Sequence, residues 1–236
     1  MKSVSVIPIT LGAVLLALPA VAEGQYLDPP AAIARILDEP QTPAVSLSPD
    51  RQWMLIMERP ELPGIEEVAA PDLRLAGTRL DPQTNGPTRR ASYTGLLLRQ
   101  VNGPAERRVQ LPARARVGDV DWAPGGGRVS FTVTGEAGIA LWVVEVATGE
   151  SRALTGPVLN AVTGQPCEWL VSSEQLVCRV IPSGRGAAPA RPVVPKGPII
   201  QESAGRRAPT RTYQDLLGSP ADEALFDHYF TSQVVL

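Results

Sequence analysis

The sequence predicts an all-β fold: a partial β-propeller of about three four-stranded units, with short helices near the N- and C-terminal ends. Three observations carry this. A turn set between two apolar runs occurs three times, as VSLSPDRQWMLIM from Val45, as VDWAPGGGRVSFT from Val120 and, more loosely, as CEWLVSSEQLVC from Cys167. A second hairpin follows each of the first two copies, so the full unit has four strands. The copies also keep a spacing. Trp122 and Trp169 stand 47 positions apart, and Pro49 and Pro124 stand 75 apart, the excess matching an insertion after the first hairpin. Four strands per period of about 40 to 50 residues is the pattern of a propeller, whose blades bury their faces by stacking. A sandwich of short strands is the competing architecture.

The units fall at about 44–112, 119–156 and 160–182. In the first, a strand at Ala44 to Leu47 and one at Trp53 to Met57 flank Ser48-Pro49-Asp50-Arg51. There Pro49 presets φ and Asp50 can bond its own backbone. Its second hairpin runs from Gly95 to Val101, through Asn102-Gly103, to Arg107 to Leu111, and Asn-Gly between apolar runs is a strong hairpin signal. In the second unit the same hairpin reads Ala140 to Val146, Thr148-Gly149, Ser151 to Leu154. Residues 58–92 are rich in Pro, Arg, Asp and Asn and read as a long insertion with a short strand at Asp72 to Leu75. Residues 183–212 read as a Pro-rich arm, too proline-rich for a central strand. From 213 to 236 a short helix is expected, with Ser219 as N-cap, Pro220 at its first position and Asp222 at the capping-box position. The start of a further strand follows. Near the other end, Asp28 as N-cap and Pro29 at the first position open a helix with Ile33, Ile36 and Leu37 on one face.

Composition bounds the function. With 44% hydrophobic and 19% charged residues the 236-residue chain is globular in type. Gly 21 and Pro 24 favour turns over long helices. Lys+Arg 22 against Asp+Glu 24 leaves a net charge of −2, so no overall basic field draws in nucleic acid or an anionic membrane. Residues 1–22 read as a secretory signal: Lys2, an apolar stretch from Val4 to Leu18, and small residues at Ala20 to Ala22, with cleavage before Glu23. The alternative, a membrane anchor, is disfavoured by the short run and by Pro8. The mature chain is expected to be exported and soluble. Cys167 and Cys178 flank the third turn symmetrically, so a hairpin would set them opposite one another, and an oxidising compartment would permit a disulfide. Two small buried hydrophobes are the alternative.

No catalytic, metal or cofactor residue emerges. Gly-x-Ser-x-Gly, the elbow of a hydrolase nucleophile, does not occur; PSGRG around Ser183 lacks the first Gly. His228 is the one histidine, and its neighbour Asp227 points about 100° away on a helix, so the pair does not make a Ser-His-Asp arrangement. Glu58, Glu61, Glu66 and Glu67 read as a solvated loop, and Gly125 to Gly127 as a hairpin turn lacking the spacing and lysine of a phosphate loop. Arg89-Arg90 and Arg206-Arg207 read as surface basic pairs.

Several long stretches nevertheless resemble a known family. YLDPPAAIARILDEPQTPAVSLSPDRQWMLIMERP, DLRLAGTRLDPQTNGPTRRASYTGLLLR, GRGAAPARPVVPKGPIIQESAGRRAPTRTYQDLL and DEALFDHYFTSQ are similar to the N-terminal region of glutamyl endopeptidase-like members of the prolyl oligopeptidase family. The resemblance runs from Tyr26 to Leu236. In that family a propeller caps a C-terminal α/β-hydrolase domain, and peptides reach the catalytic serine between the two. The resemblance implies the propeller portion of an exported serine peptidase, cleaving after glutamate, whose partner is a peptide substrate met through the hydrolase domain. That domain and the remaining blades have no counterpart here. No catalytic residue carries over, and a fragmentary or frameshifted gene, or a chain cut short, is the expected cause. A stand-alone exported propeller that binds without chemistry, or a truncated product that does not fold stably, are the competing readings.

Overall fold

The structure is a computed structural model describing residues 28–60, 65–190, 205 and 215–236. The signal-peptide reading of 1–22, the arm beyond residue 190, Arg206-Arg207 and Glu61 lie outside the described residues.

The chain divides into two units, Met1–Asp38 and Glu39–Leu236. The described part of the first is helix α1, Ala31–Leu37, which buries no side chain. Its cap is Pro30, not Asp28. A proline at position 30 disfavours the helical region for Pro29, so the first turn forms only beyond Pro30, whose carbonyl accepts from the Ile33 and Ala34 amides at 2.8 and 3.0 Å.

The second unit is a partial β-propeller. Its first blade is a four-stranded antiparallel sheet in the order β1 (Ala44–Leu47), β2 (Trp53–Glu58), β6 (Gly95–Gln100), β7 (Glu106–Arg108). The β1–β2 turn is clipped by side chains. Ser48 Oγ donates to Asp50 Oδ1 at 2.5 Å and accepts from the Trp53 amide at 2.9 Å, while Asp50 Oδ1 also takes the Gln52 amide at 3.0 Å. The Ser48 hydroxyl and then the Gln52 amide hold the Asp50 carboxyl below its ordinary pKa. The second blade, again four antiparallel strands in sequence order, comprises β8 (Arg116–Trp122), β9 (Arg128–Gly135), β10 (Gly138–Glu145) and β11 (Ser151–Ala153). The third contains β12 (Cys167–Trp169), β13 (Leu176–Val180) and β14 (Gln233–Val235). The C-terminal strand therefore completes this sheet instead of opening another. Cys167 and Cys178 are direct cross-strand partners, 4.1 Å apart at Cα, and are joined by a disulfide.

Both long insertions leave their blade at the same place, between its second and third strands. The first contains a four-residue helix α2 (Ile65–Val68) and a sheet of three strands, β3 (Leu73–Leu75), β4 (Thr78–Asp81) and β5 (Gly86–Pro87), where the sequence suggested one. The β3–β4 turn is Ala76-Gly77, with φ of 49° and 77°, a left-handed pair that the Ala disguises in the sequence. The second insertion carries α3, Pro220–Phe230, with Ser219 at its N-cap accepting from the Asp222 amide. The Asp222 carboxylate reaches back to the Ser219 hydroxyl and, one residue earlier than a standard capping box, to the Gly218 amide.

Blade stacking makes the core. Leu55, Met57, Leu96 and Leu98 of the first blade meet Val117, Val129, Phe131 and Val144 of the second. Ile139 and Leu141 on the other side of the second blade meet Leu176 and the disulfide of the third. A smaller cluster joins the insertions, with Leu75 and Leu80 against Leu225 and Tyr229 of α3. The repeated tryptophans mark the joints. Trp122 Nε1 donates to Ser46 Oγ of the first blade at 3.1 Å, and Trp169 Nε1 to the Asp121 carbonyl of the second at 3.3 Å. Ser46 and Asp121 occupy the same repeat position, so each indole bonds the inner strand of the blade before it.

Two consequences are measurable. Phe131 is fully buried, so Phe131→Ala is expected to cost about 3–5 kcal/mol in denaturant unfolding; a loss below about 1 kcal/mol contradicts this packing. The disulfide closes a short loop, with a sequence separation of 11. Reduction, or Cys167→Ser with Cys178→Ser, is expected to remove about 2–4 kcal/mol of stability, read as a fall in the denaturant midpoint at unchanged slope.

Candidate functional site

The best-formed recess lies where the first insertion crosses the second blade. It has a cavity volume of about 50 Å³ and is lined by Thr84 and Thr88 from the insertion, by Arg90 and Ser92 from its return leg, and by Arg116, Asp119, Thr132 and Thr134 from β8 and β9. Asp119 is central. It sits at a β-bulge between Gly118 and Asp121, with a φ of 43°, and this irregularity aims its side chain into the recess. Its carboxylate is 4% exposed and meets the Arg90 guanidinium with both oxygens. Oδ2 takes a hydrogen bond from Arg90 Nη1 at 2.7 Å and from Thr132 Oγ1 at 3.1 Å. Arg90 is thus held in a two-pronged ion pair, not left as a solvated surface charge, whereas Arg89 beside it is exposed. The pair ties the return leg of the insertion to the blade.

A second, shallower recess of about 390 Å³ opens beside α3, lined by Pro182, Gly184, Arg185, Ala224, Asp227, His228 and Thr231. Arg185 donates through Nη1 to Asn85 Oδ1 at 2.6 Å and to the His228 carbonyl at 3.2 Å, and lies over the Tyr229 ring at 5.6 Å. Asn160 Nδ2 donates to the Tyr229 and Thr231 carbonyls at 2.9 and 3.1 Å, and Asn85 Nδ2 to the Tyr229 carbonyl at 3.4 Å. The C-terminal carbonyls of α3 are thereby capped by one cation and two buried amides, a favourable placement for positive charge. Burial lowers the Arg185 pKa and raises that of Tyr229. His228 is half-buried. Burial first and the Arg185 charge second push its imidazole below the ordinary value of 6.5, so it is neutral near pH 7.

These recesses do not assemble a hydrolytic centre. Ser183 is exposed, and the ring contact made by His228 is to Tyr229, 4.8 Å away. Glu58 is paired with Arg108 at 2.6 and 2.9 Å; nothing is described for the side chains of Glu66 and Glu67. Gly125 to Gly127 form the β8–β9 turn, where the Gly126 amide bonds the Ala123 carbonyl and the Gly125 amide bonds Ser173 Oγ of the third blade. Among the described residues no three His, Cys, Asp or Glu side chains are grouped to hold a metal, and no helix is long and apolar enough to cross a membrane. The sequence reading passed over Asp119, Asn85, Asn160 and Arg185. Asn85-Gly86 carries a turn signal that could have been read, and Asn85 does adopt a φ of 56°. The other three are defined only by contacts across the fold.

No protein-family profile matches the chain. Two curated proteins do. The chain is 37% identical over 226 residues to a protein of Oryza sativa subsp. japonica named probable glutamyl endopeptidase, chloroplastic, a match covering 89% of this chain and 24% of that protein. It is 35% identical over 231 residues to the Arabidopsis thaliana protein of the same name, covering 92% of this chain and 24% of that one. The chain therefore spans about a quarter of the length of the curated relatives it matches. Among solved structures, a protein assigned as a dipeptidyl aminopeptidase IV from Bacteroides ovatus ATCC 8483 aligns with 58% of this chain and 20% of its own, at 10% identity and a TM-score of 0.33. One assigned as TolB from Agrobacterium tumefaciens aligns with 62% of this chain and 56% of its own, at 13% identity and a TM-score of 0.30. The propeller architecture rests on the sheet order and the repeat, not on these two.

Because His228 is the single histidine, its imidazole resonance is unambiguous by NMR. It is expected to titrate below 6.5 and to move upward in Arg185→Met. Since folding lowers this pKa, its contribution to stability is full above the unfolded value and declines as pH falls below it. A midpoint at or above 6.5 would contradict the geometry.

Proposed function

We propose that this chain is the front portion of the propeller of an exported glutamyl endopeptidase-like serine peptidase, and that it gates peptide access to a hydrolase domain carried elsewhere. The observation that carries the reading is the identity of 35–37% over about nine-tenths of the chain to proteins named for that activity. Export is supported by Lys2, the apolar stretch from Val4 to Leu18 and the small residues Ala20 to Ala22.

The chemistry agrees with a filtering part. Acyl transfer by a serine peptidase needs a nucleophile in hydrogen-bond reach of a base that a third group orients. Here the single imidazole packs on an aromatic ring beside a guanidinium, far from that requirement. What the chain offers a peptide is a set of stacked blades with two elaborated insertions. A polar recess lined by threonines and an arginine–aspartate pair lies where the first of them crosses the second blade.

The purified chain is expected to show no cleavage of a Glu-containing peptide. Turnover that a serine-directed inhibitor abolishes would overturn the assignment of a non-catalytic portion. The coding sequence past the Leu236 codon is the complementary test: more blades and a Gly-x-Ser-x-Gly elbow are expected. A stop with nothing hydrolase-like in any frame would favour a binding propeller instead.

A further inference from the structure

The first blade is apolar on both faces, yet only one is covered. Leu55, Met57, Leu96 and Leu98 lie in the core against the second blade. Val45, Leu47, Met54, Ile56 and Leu97 alternate with them and form the opposite face. The register lines these residues up as Val45, Ile56 and Leu97 in one row and Leu47, Met54 and Arg99 in the next. Val45 and Leu47 are each 54% exposed.

The repeat says what this face is for. Leu47 stands where Trp122 and Trp169 stand, Met54 where Val129 does, and Ile56 where Phe131 does, while Leu97 pairs with Ile56 as Trp142 pairs with Phe131. In the second blade those very positions pack against the first blade, with Trp122 bonded to Ser46. In the third, Leu176 and Cys178 take the same positions and pack against the second. The open face is therefore a joint of the kind the molecule already makes twice. Its complement is also present and also open. The outward face of the third blade carries Glu168, at the repeat position of Ser46 and Asp121, with Val177, Arg179 and Val234, the last 66% exposed. Arg179 folds back onto Thr163 Oγ1 and the Gln165 carbonyl, each at 2.6 Å, which leaves the valines facing outward.

We infer that two copies of this chain associate head to tail, the first blade of each seated on the third blade of the other. Three blades from each copy make a ring of six about a twofold axis, within the range of about four to eight for closed propellers. Pairing of two first blades with one another is disfavoured. It would place Leu47 against an identical apolar row and leave the Ser46-type acceptor of the third blade unused. The inference stands on the blade faces alone and survives failure of the peptidase reading.

Sedimentation velocity on the full chain from about 1 to 200 µM tests it, since dimers respond to concentration. The wild type is expected to dimerise. Leu47→Glu and Val234→Glu, both on exposed side chains, are each expected to weaken dimerisation at least about tenfold with unchanged melting. An equimolar mixture of the two variants is expected to regain association, because one of its two joints is wild type on both sides. Leu47→Trp, supplying the indole found at 122 and 169, is expected to tighten the dimer. A monomeric wild type across the range would overturn the inference and assign the face to polypeptide outside these residues. Loss of dimer in Leu47→Glu with none in Val234→Glu would overturn it in favour of paired first blades.

Discussion

Burial of both faces of each sheet is the constraint on which the rest of this structure depends. A four-stranded antiparallel sheet with one wet face alternates apolar and polar residues along every strand. The strands here do not. β2 reads Trp-Met-Leu-Ile-Met and β10 reads Ile-Ala-Leu-Trp-Val-Val, apolar on both sides. Fully burying a large apolar side chain is worth about 1.5–3 kcal/mol, so each uncovered face forfeits several such contributions. Stacking of like sheets is the arrangement that meets the requirement, and the repeat follows from it. The same positions must be apolar in every unit because every unit has the same two neighbours.

Stacking by apolar contact alone is permissive about rotation of one blade on the next. The indoles narrow that choice. Trp122 and Trp169 each reach back to the same repeat position of the preceding inner strand, and a buried N–H without an acceptor costs about 1–3 kcal/mol. The turns add a second contact, with Ser173 Oγ accepting from the Gly125 amide. Asp121 shows the other side of such a joint. Burial raises its carboxyl pKa, with the Glu168 carboxylate adding to the rise, so the two inner strands bring like charges together and the hydrogen bonds must outweigh them.

This division explains what the sequence discloses. Strand positions and the Ser48-Pro49-Asp50 and Ser219-Pro220 signals are local, set by alternation, turn chemistry and capping, and they are legible within a few residues. β1 begins and ends where alternation puts it, and α3 starts at its cap. The Ala76-Gly77 turn was not legible because alanine seldom adopts a positive φ, and a whole sheet of the insertion was lost with it. Asp28 looked like a cap because its spacing suited one, but the second proline of the pair moves the helix start. Asp119 and Arg90 are 29 positions apart, and Asn160 and Tyr229 are 69 apart. Nothing in either neighbourhood requires the other, so these pairs exist only once the blades have set the insertions side by side.

The insertions therefore occupy a different energetic position from the blades. Their shared apolar cluster is small, Leu75, Leu80, Val162, Leu225 and Tyr229, and their register is fixed largely by Asn85, Asn160 and Arg185 on the last carbonyls of α3. Asn85 and Asn160 are 1% and 2% exposed, so their amides pay full desolvation and hold only while every partner is in place. β14 enters the third blade directly after those carbonyls, at Gln233. The amide that bonds the Thr231 carbonyl thus also sets where the third blade acquires its outer strand. An element that looks peripheral in the chain is in this way part of a blade edge, and the fit of the second insertion controls the width of the third sheet.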